Sequence, residues 1–418
     1  MHKRNLYMDR IRPFINKPVV KVITGLRRVG KSYFMRLIMD DLQLQNISNK
    51  QIIYIDMESM DFDFIRNYQQ LDDFIKHTLE PSPERKIYLF IDEVQEIEGW
   101  EKCIASYLGS GNYDIYLTGS NAGMLSSELA TLLSGRYIEF PIYSLSFCEF
   151  LDFMGKDKTQ AHNHFPLYLQ YGGFPALSHF DLDKEVVYQY ISSLYNTILL
   201  KDVVKRYHVR NITLLENITK YTFDNIGNIF SAKKISDYMK SQKLSIGVET
   251  VQNYLSYLCS TFALHKVQRY DIKGKRLLEL HEKYYLGDIG LRHALLGYRE
   301  TDIAGMLENL IFLELKRRGY DIFIGKHGTR EIDFIATKAD DKLYIQVSYL
   351  LSSKETIERE FSPLLAIRDN YPKYVLSMDT IFGSDYDGIK RINLVDFLLQ
   401  PAFPENCNDE MKYLAGSI

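Results

Sequence analysis

The stretch VVKVITGLRRVGKS, residues 19–32, decides how this chain is read. An apolar run from Val19 to Thr24 leads into Gly25. Four residues later come Gly30, Lys31 and Ser32, after which Phe34, Leu37, Ile38 and Leu42 recur at helical spacing. Strand, glycine loop and helix, in that order, make a phosphate cradle. Glycines let backbone N–H groups turn inward on phosphate oxygens, the Lys31 ammonium reaches the β- and γ-phosphates, and the Ser32 hydroxyl can ligate Mg²⁺. The helix that opens there adds the positive end of its dipole. Gly25, Arg28, Gly30, Lys31 and Ser32 are therefore the candidate nucleotide-binding residues, with Arg27 and Arg28 inside the loop itself.

Working outward, four more strand-like runs follow: QIIYID (51–56), KIYLFID (86–92), YDIYLT (113–118) and RYIEFPI (136–142). Near-continuous apolar strands alternating with helices predict a parallel sheet covered on both faces, so residues 1–143 read as an α/β nucleotide-binding domain. The third run ends in Asp92-Glu93, at the sheet edge where ligands of such folds sit. An acid there holds Mg²⁺ and a second polarises the attacking water; Asp92 is assigned to the metal and Glu93 to the water. The fourth run ends in Thr118-Gly119-Ser120-Asn121, which places Asn121 or Ser120 beside the γ-phosphate, though turn residues are equally favoured at any strand end. Arg136 precedes the fifth strand. It reads either as a guanidinium that stabilises transition-state charge, from the same chain or a neighbouring subunit, or as a solvated surface arginine. ATP and Mg²⁺ are the expected ligands.

Composition bounds the rest. The chain has 418 residues, 46% hydrophobic and 25% charged, which is the profile of an ordinary globular protein with room for about two to four domains. A net charge of −3 gives no global pull toward nucleic acid, so any such contact needs a local patch. Cys103, Cys148, Cys259 and Cys407 lack the spacing of a zinc site or a disulfide framework. The N-terminus MHKRNLYMDRIRPF lacks an apolar signal core and no later run reaches a membrane span, so a cytoplasmic protein without membrane contact is expected.

Residues 144–210 read as a helical lid on the sheet. Tyr171-Gly172-Gly173-Phe174-Pro175 marks a turn, and VVYQYISSLYNTILLKDVVKRY reads as one long amphipathic helix, with a basic stripe at Lys201, Lys205, Arg206 and Arg210. Residues 211–290 resemble a helix-turn-helix with a β-wing: helices at 235–241 and 249–262, then strands at 264–270 and 276–286. The second helix has no Lys or Arg, and phosphate neutralisation could come only from Lys233, Lys234, Lys240 and Lys243. A structural joint and a DNA reader both remain open. Residues 291–400 read as an αβββαβ unit with turns at Gly325–Gly328 and Lys338–Asp341, and 401–418 as a peripheral tail.

With these motifs in place, and with ENLIFLELKRRGYDIFIG, REIDFIA and YIQVSYL near the end, the chain resembles a prokaryotic family. Its members join an AAA-type P-loop ATPase domain to a C-terminal domain of unknown function related to the PD-(D/E)XK nuclease-like superfamily. The resemblance implies a helix acid at Glu308, a strand acid at Asp333 and, where an E-x-K pair would stand, Gln346-Val347-Ser348. Gln346 brings no carboxylate and Ser348 no cation, which should cost about 100-fold or more in rate. The implied site at Glu308, Asp333 and Gln346 is thus read as vestigial. The expected function is an ATPase switch whose nucleotide state is passed to the winged-helix-like and nuclease-like parts. The alternatives are an ATP-dependent nuclease or DNA-processing enzyme and a nucleotide-bound scaffold without turnover. Nucleic acid and a second copy of the chain are the partners considered.

Overall fold

The computed structural model describes residues 2–78, 86–125, 133, 135–244, 246–299, 302–380, 383, 385–401 and 403. They form two compact units. The first is Met1–Ser144 with Leu258–Ala263, and the second is Leu145–Tyr257 with Leu264–Ile418.

The first unit is built on strands β1 (Val20–Thr24), β2 (Ile52–Asp56), β3 (Ile87–Asp92), β4 (Tyr113–Gly119) and β5 (Tyr137–Pro141). They pair in the order β2-β3-β4-β1-β5, every pair parallel. The five runs expected from sequence are these strands. Val22, Leu89, Ile91, Ile115 and Leu117 are fully buried with Leu71, Ile75 and Ile104 from the helices Tyr68–Thr78 and Trp100–Ser110, which explains the nearly continuous apolar character of the central strands. One buried ion pair interrupts this core. Lys21 of β1 meets Asp114 of β4, both side chains without exposure, and Asp114 also accepts from the Tyr116 hydroxyl and the Asn16 N–H.

The second unit carries an eight-stranded sheet. Its strands are β6 (Leu264–Asp271), β7 (Arg276–Leu286), β8 (Asp321–His327), β9 (Arg330–Lys338), β10 (Asp341–Val347), β11 (Lys373–Ser377), β12 (Asp385–Tyr386) and β13 (Ile389–Asn393). The order is β12-β13-β11-β10-β9-β8-β6-β7. The αβββαβ succession expected for 291–400 is present as helix Ile303–Arg317, β8–β10, helix Lys354–Leu365 and β11. Gly325 is not in a turn, as sequence had it, but inside β8 at a shift in register with β9, where a Cβ would lie 2.9 Å from Cβ of Ile332. The hairpin β6–β7, expected as the wing of a separate 211–290 domain, pairs with β8 in parallel and so extends the C-terminal sheet. The boundaries expected at 210 and 290 therefore fall inside one unit.

The helices Ile212–Asp224, Ala232–Ser241 and Val248–Ser260 precede the hairpin, and Lys233, Lys234, Lys240 and Lys243 are exposed. In the 144–210 segment the long helix is α-helical over Lys184–Thr197 and π-helical over Ile198–Lys205, and Lys201, Lys205 and Arg210 are exposed while Arg206 is half-buried. This segment was expected to cover the first sheet. It belongs instead to the second unit, where Lys184–Thr197 packs on the helix Ile289–Leu296. The Tyr171–Pro175 turn locks to the start of that helix. Asp288 accepts from Gly173 N at 2.8 Å, and a Cβ on Gly172, at φ 77°, would lie 2.1 Å from the Asp288 carboxylate. Residues 402 and 404–418, most of the expected tail, lie outside the described residues. Among the described residues no helix is long and apolar enough to cross a membrane.

Candidate functional site

At the end of β1 the chain turns through Gly25 at φ 143°, Arg28 at φ 67° and Gly30 at φ 98° before the helix Lys31–Leu44 begins. Gly25 permits no side chain, because a Cβ would sit 2.2 Å from the Ile142 carbonyl oxygen. Lys31 is buried. Its ammonium donates to the carbonyls of Gly25 at 3.1 Å and Leu26 at 3.4 Å and lies 3.5 Å from Glu93 Oε1. Loop, lysine and acid thus converge at the C-terminal edge of the sheet. Arg27 is buried and pairs with Glu58 at 2.7 Å, while Arg28 is exposed.

β3 delivers Asp92 and Glu93, both buried. Asp92 accepts from the Thr118 hydroxyl and, at 3.1 Å, from the Tyr54 hydroxyl, and it is hydrogen-bonded by Ser32. Burial pushes its carboxyl above the usual range, against the Ser32 and Thr118 hydrogen bonds. Burial acts the same way on Glu93, but the Lys31 charge, Gln95, Arg27 and Ser120 together outweigh it and hold this carboxyl below its ordinary value. Glu93 sits at φ 53°, its N–H bonded to Thr118 Oγ1 at 2.9 Å and its carboxylate to Gln95 and, at 3.1 Å, to Ser120. Thr118 therefore ties both acids to the end of β4. Sequence reasoning quoted Thr118 without giving it a role; the signal was a hydroxyl one strand away from the acid pair.

The remaining candidates make other contacts. Asn121 is half-buried and accepts from Gly123 N at 2.7 Å, closing its own turn. Arg136 is exposed, donates to the Leu133 carbonyl at 3.3 Å, and offers its own carbonyl to Val20 N at 3.0 Å. Val20 starts β1 and the phosphate loop follows its end, so Arg136 is about 16 Å of strand from the loop of its own chain. The same-chain role considered for this arginine would need its guanidinium to reach across the length of a strand.

The donor set at the loop fits ATP and Mg²⁺. Ser32 and Asp92 already touch, a hydroxyl and a carboxylate of the kind that hold a hard cation.

A second cluster lies in the second unit. Glu308 of helix Ile303–Arg317, Asp333 of β9 and Gln346 of β10 line one cavity of about 700 Å³ with Glu331, Arg292, Arg330 and Arg359. Gln346 Oε1 accepts from Asp333 N at 3.2 Å, and Asp333 Oδ2 accepts from Val347 N at 2.8 Å. From β7 come Lys283 and Tyr285, two residues apart on one face of the strand, both reaching Glu308. The cation that Ser348 does not provide is thus present, from a strand outside the 291–400 segment.

A parallel five-stranded sheet with a lysine-bearing glycine loop at its carboxyl edge and an acid pair beside it defines a P-loop ATP-binding domain of the AAA type. Residues 17–151 match the family described as an AAA domain. The chain belongs to one family with an uncharacterized protein of Haemophilus influenzae, to which it is 38% identical over 403 residues, 96% of this chain and 99% of the relative. The uncharacterized protein MJ1544 of Methanocaldococcus jannaschii is 30% identical over 362 residues, 82% of this chain and 77% of that protein. The solved Walker-type ATPase PABY2304 of Pyrococcus abyssi has a similar fold, with TM-score 0.50 and 14% identity over 70% of this chain and 95% of that one. Residues 162–302 match a domain of unknown function (DUF8612).

Proposed function

We propose that the chain hydrolyses ATP slowly at the β1 loop and acts as a switch whose nucleotide state is read by the second unit. The observation that carries this is the chain of contacts Lys31–Glu93–Thr118–Asp92–Ser32, which brings together a lysine, an acid pair and a hydroxyl of the kinds that phosphoryl transfer to water uses. Lys31 neutralises the β- and γ-phosphates, replacing its present carbonyl partners with phosphate oxygens. Ser32 and Asp92 would hold Mg²⁺, which would supply positive charge for the phosphates. Glu93, ionised at neutral pH and oriented by Gln95 and Ser120, accepts a hydrogen bond from the attacking water. Gly25, Arg28 and Gly30 shape the loop, and Ser120 rather than Asn121 is the group in contact with the catalytic acid.

The helix-turn-helix-like segment is read as a structural joint, because its hairpin is built into the C-terminal sheet. The nuclease-like reading of 291–400 is kept as a fold without cutting activity. A homo-oligomer in which Arg136 serves a neighbouring copy is compatible with its exposure. Steady-state phosphate release tests the proposal. Lys31→Ala should abolish ATP binding, and Glu93→Gln should retain it while turnover falls about 100-fold or more. Absence of release from the pure chain would leave the scaffold reading. Anisotropy with labelled duplex over a salt series tests nucleic-acid contact at Lys233, Lys234, Lys240 and Lys243.

A further inference from the structure

The resemblance to a nuclease fold implies a divalent ion between Glu308 and Asp333, and the side chains found there decide whether one fits. Lys283 Nζ lies 2.8 Å from Glu308 Oε1, 2.7 Å from Glu331 Oε1 and 3.9 Å from Asp333 Oδ1. Its side chain is 3% exposed. The ammonium has three donors and faces three carboxylates, at the point where their oxygens converge.

Several of the neighbouring oxygens are engaged as well. Glu308 Oε1 also accepts from the Tyr285 hydroxyl at 2.5 Å, Asp333 Oδ2 from Val347 N at 2.8 Å, and Gln346 Oε1 from Asp333 N at 3.2 Å. A magnesium ion would need these oxygens at about 2.0–2.1 Å, in the volume the ammonium fills, and would be repelled by its charge. Among the described residues no group of three or more His, Cys, Asp and Glu side chains is arranged to hold a metal ion. The donor set does not fit a divalent cation.

We infer that Lys283 is the built-in counter-ion of this cavity, standing in the place of a divalent cation, so that one ammonium offsets part of the Glu308, Glu331 and Asp333 charge without metal and fastens the β6–β7 hairpin to the C-terminal sheet. Three elements meet in that one ammonium: β7 carries it, the helix Ile303–Arg317 supplies Glu308, and β9 supplies Glu331 and Asp333. Tyr285 seconds the attachment from the same strand. A tethered charge of this kind is permanent, where a bound ion is subject to its concentration. The inference does not depend on ATP turnover.

The test is Mn²⁺ titration of the nucleotide-free full-length chain, with free Mn²⁺ read by electron paramagnetic resonance. Ser32→Ala and Asp92→Asn are included to silence the first site. With Lys283 present, no Mn²⁺ should bind the cavity below about 1 mM, an affinity typical of exposed carboxylates. Adding Lys283→Met should create one site about 100-fold tighter, the size of a relieved charge conflict, and a further Asp333→Asn should abolish it. The inference is overturned if the Lys283-bearing chain binds one Mn²⁺ that Asp333→Asn removes. A folded Lys283→Met chain, checked by circular dichroism, that gains no site overturns it equally. Should Lys283→Met not fold, the Lys283-bearing chain and its Asp333→Asn variant decide the matter alone.

Discussion

Thr118→Val is the sharpest single test of how the ATP site is held. The substitution keeps shape and volume in a fully buried position and removes one hydroxyl. That hydroxyl donates to Asp92 and accepts from the Glu93 N–H at 2.9 Å, so one atom is lost from the support of both acids. A hydrogen bond to a charged group contributes about 1.5–3 kcal/mol, and each 1.4 kcal/mol is tenfold in rate, so kcat for phosphate release should fall about 10- to 100-fold. Lys31 and the loop carbonyls do not involve Thr118, so the affinity for a fluorescent ATP analogue should stay within about threefold. Thr118→Ser, which restores the hydroxyl, should recover most of the rate. The Thr118 hydrogen bond works to lower the Asp92 carboxyl, so its removal should move the acid limb of the pH–rate profile to higher pH. A folded Thr118→Val chain with wild-type kcat would refute the claim that β4 positions the acids.

Asp114→Ala should leave Lys21 buried and uncompensated at a cost of about 3–5 kcal/mol, seen in calorimetry as a lower transition for the ATP-stabilised unit. Replacing the pair by Lys21→Met with Asp114→Leu should recover much of that loss. His293 is buried, and burial together with Arg292 brings its imidazole down to about 4. Because the unfolded chain then binds more protons between pH 6.5 and 4, stability should be full above 6.5 and decline as pH falls toward 4. The decline should amount to about 3 kcal/mol, readable as a falling urea midpoint that His293→Leu flattens.

The first sheet was open to sequence reading because its central strands are buried on both faces, so Val20–Thr24 and Ile87–Asp92 appear as nearly continuous apolar runs. The loop was open for a related reason: backbone approach to phosphate needs glycine, and helix-borne Lys31 and Ser32 sit at fixed offsets from it. Lys283 was hidden because its meaning lies in residues 25 and more positions away, and in a β-strand a lysine ordinarily faces water. Arg136 is the opposite case. Its place before a strand is visible in sequence, whereas the end of the sheet that it occupies follows only from the register of Tyr137 with Val20. The hairpin misled similarly, since two strands joined by a tight turn look the same whether they stand free or extend another sheet.

That extension bears on how the gene can be cut. β8 is paired on one side by β9 and on the other by β6, through Arg269 with Ile324, Tyr270 with Gly325 and Asp271 with Lys326. A fragment beginning at residue 291 would lose β6 and β7, strip Lys283 from three acids and bare the Ile322 and Ile324 strand along an open edge. Such edges recruit other chains, so the fragment should precipitate or pair with itself. A fragment beginning near residue 145 keeps all eight strands and should be a soluble piece of this half of the protein.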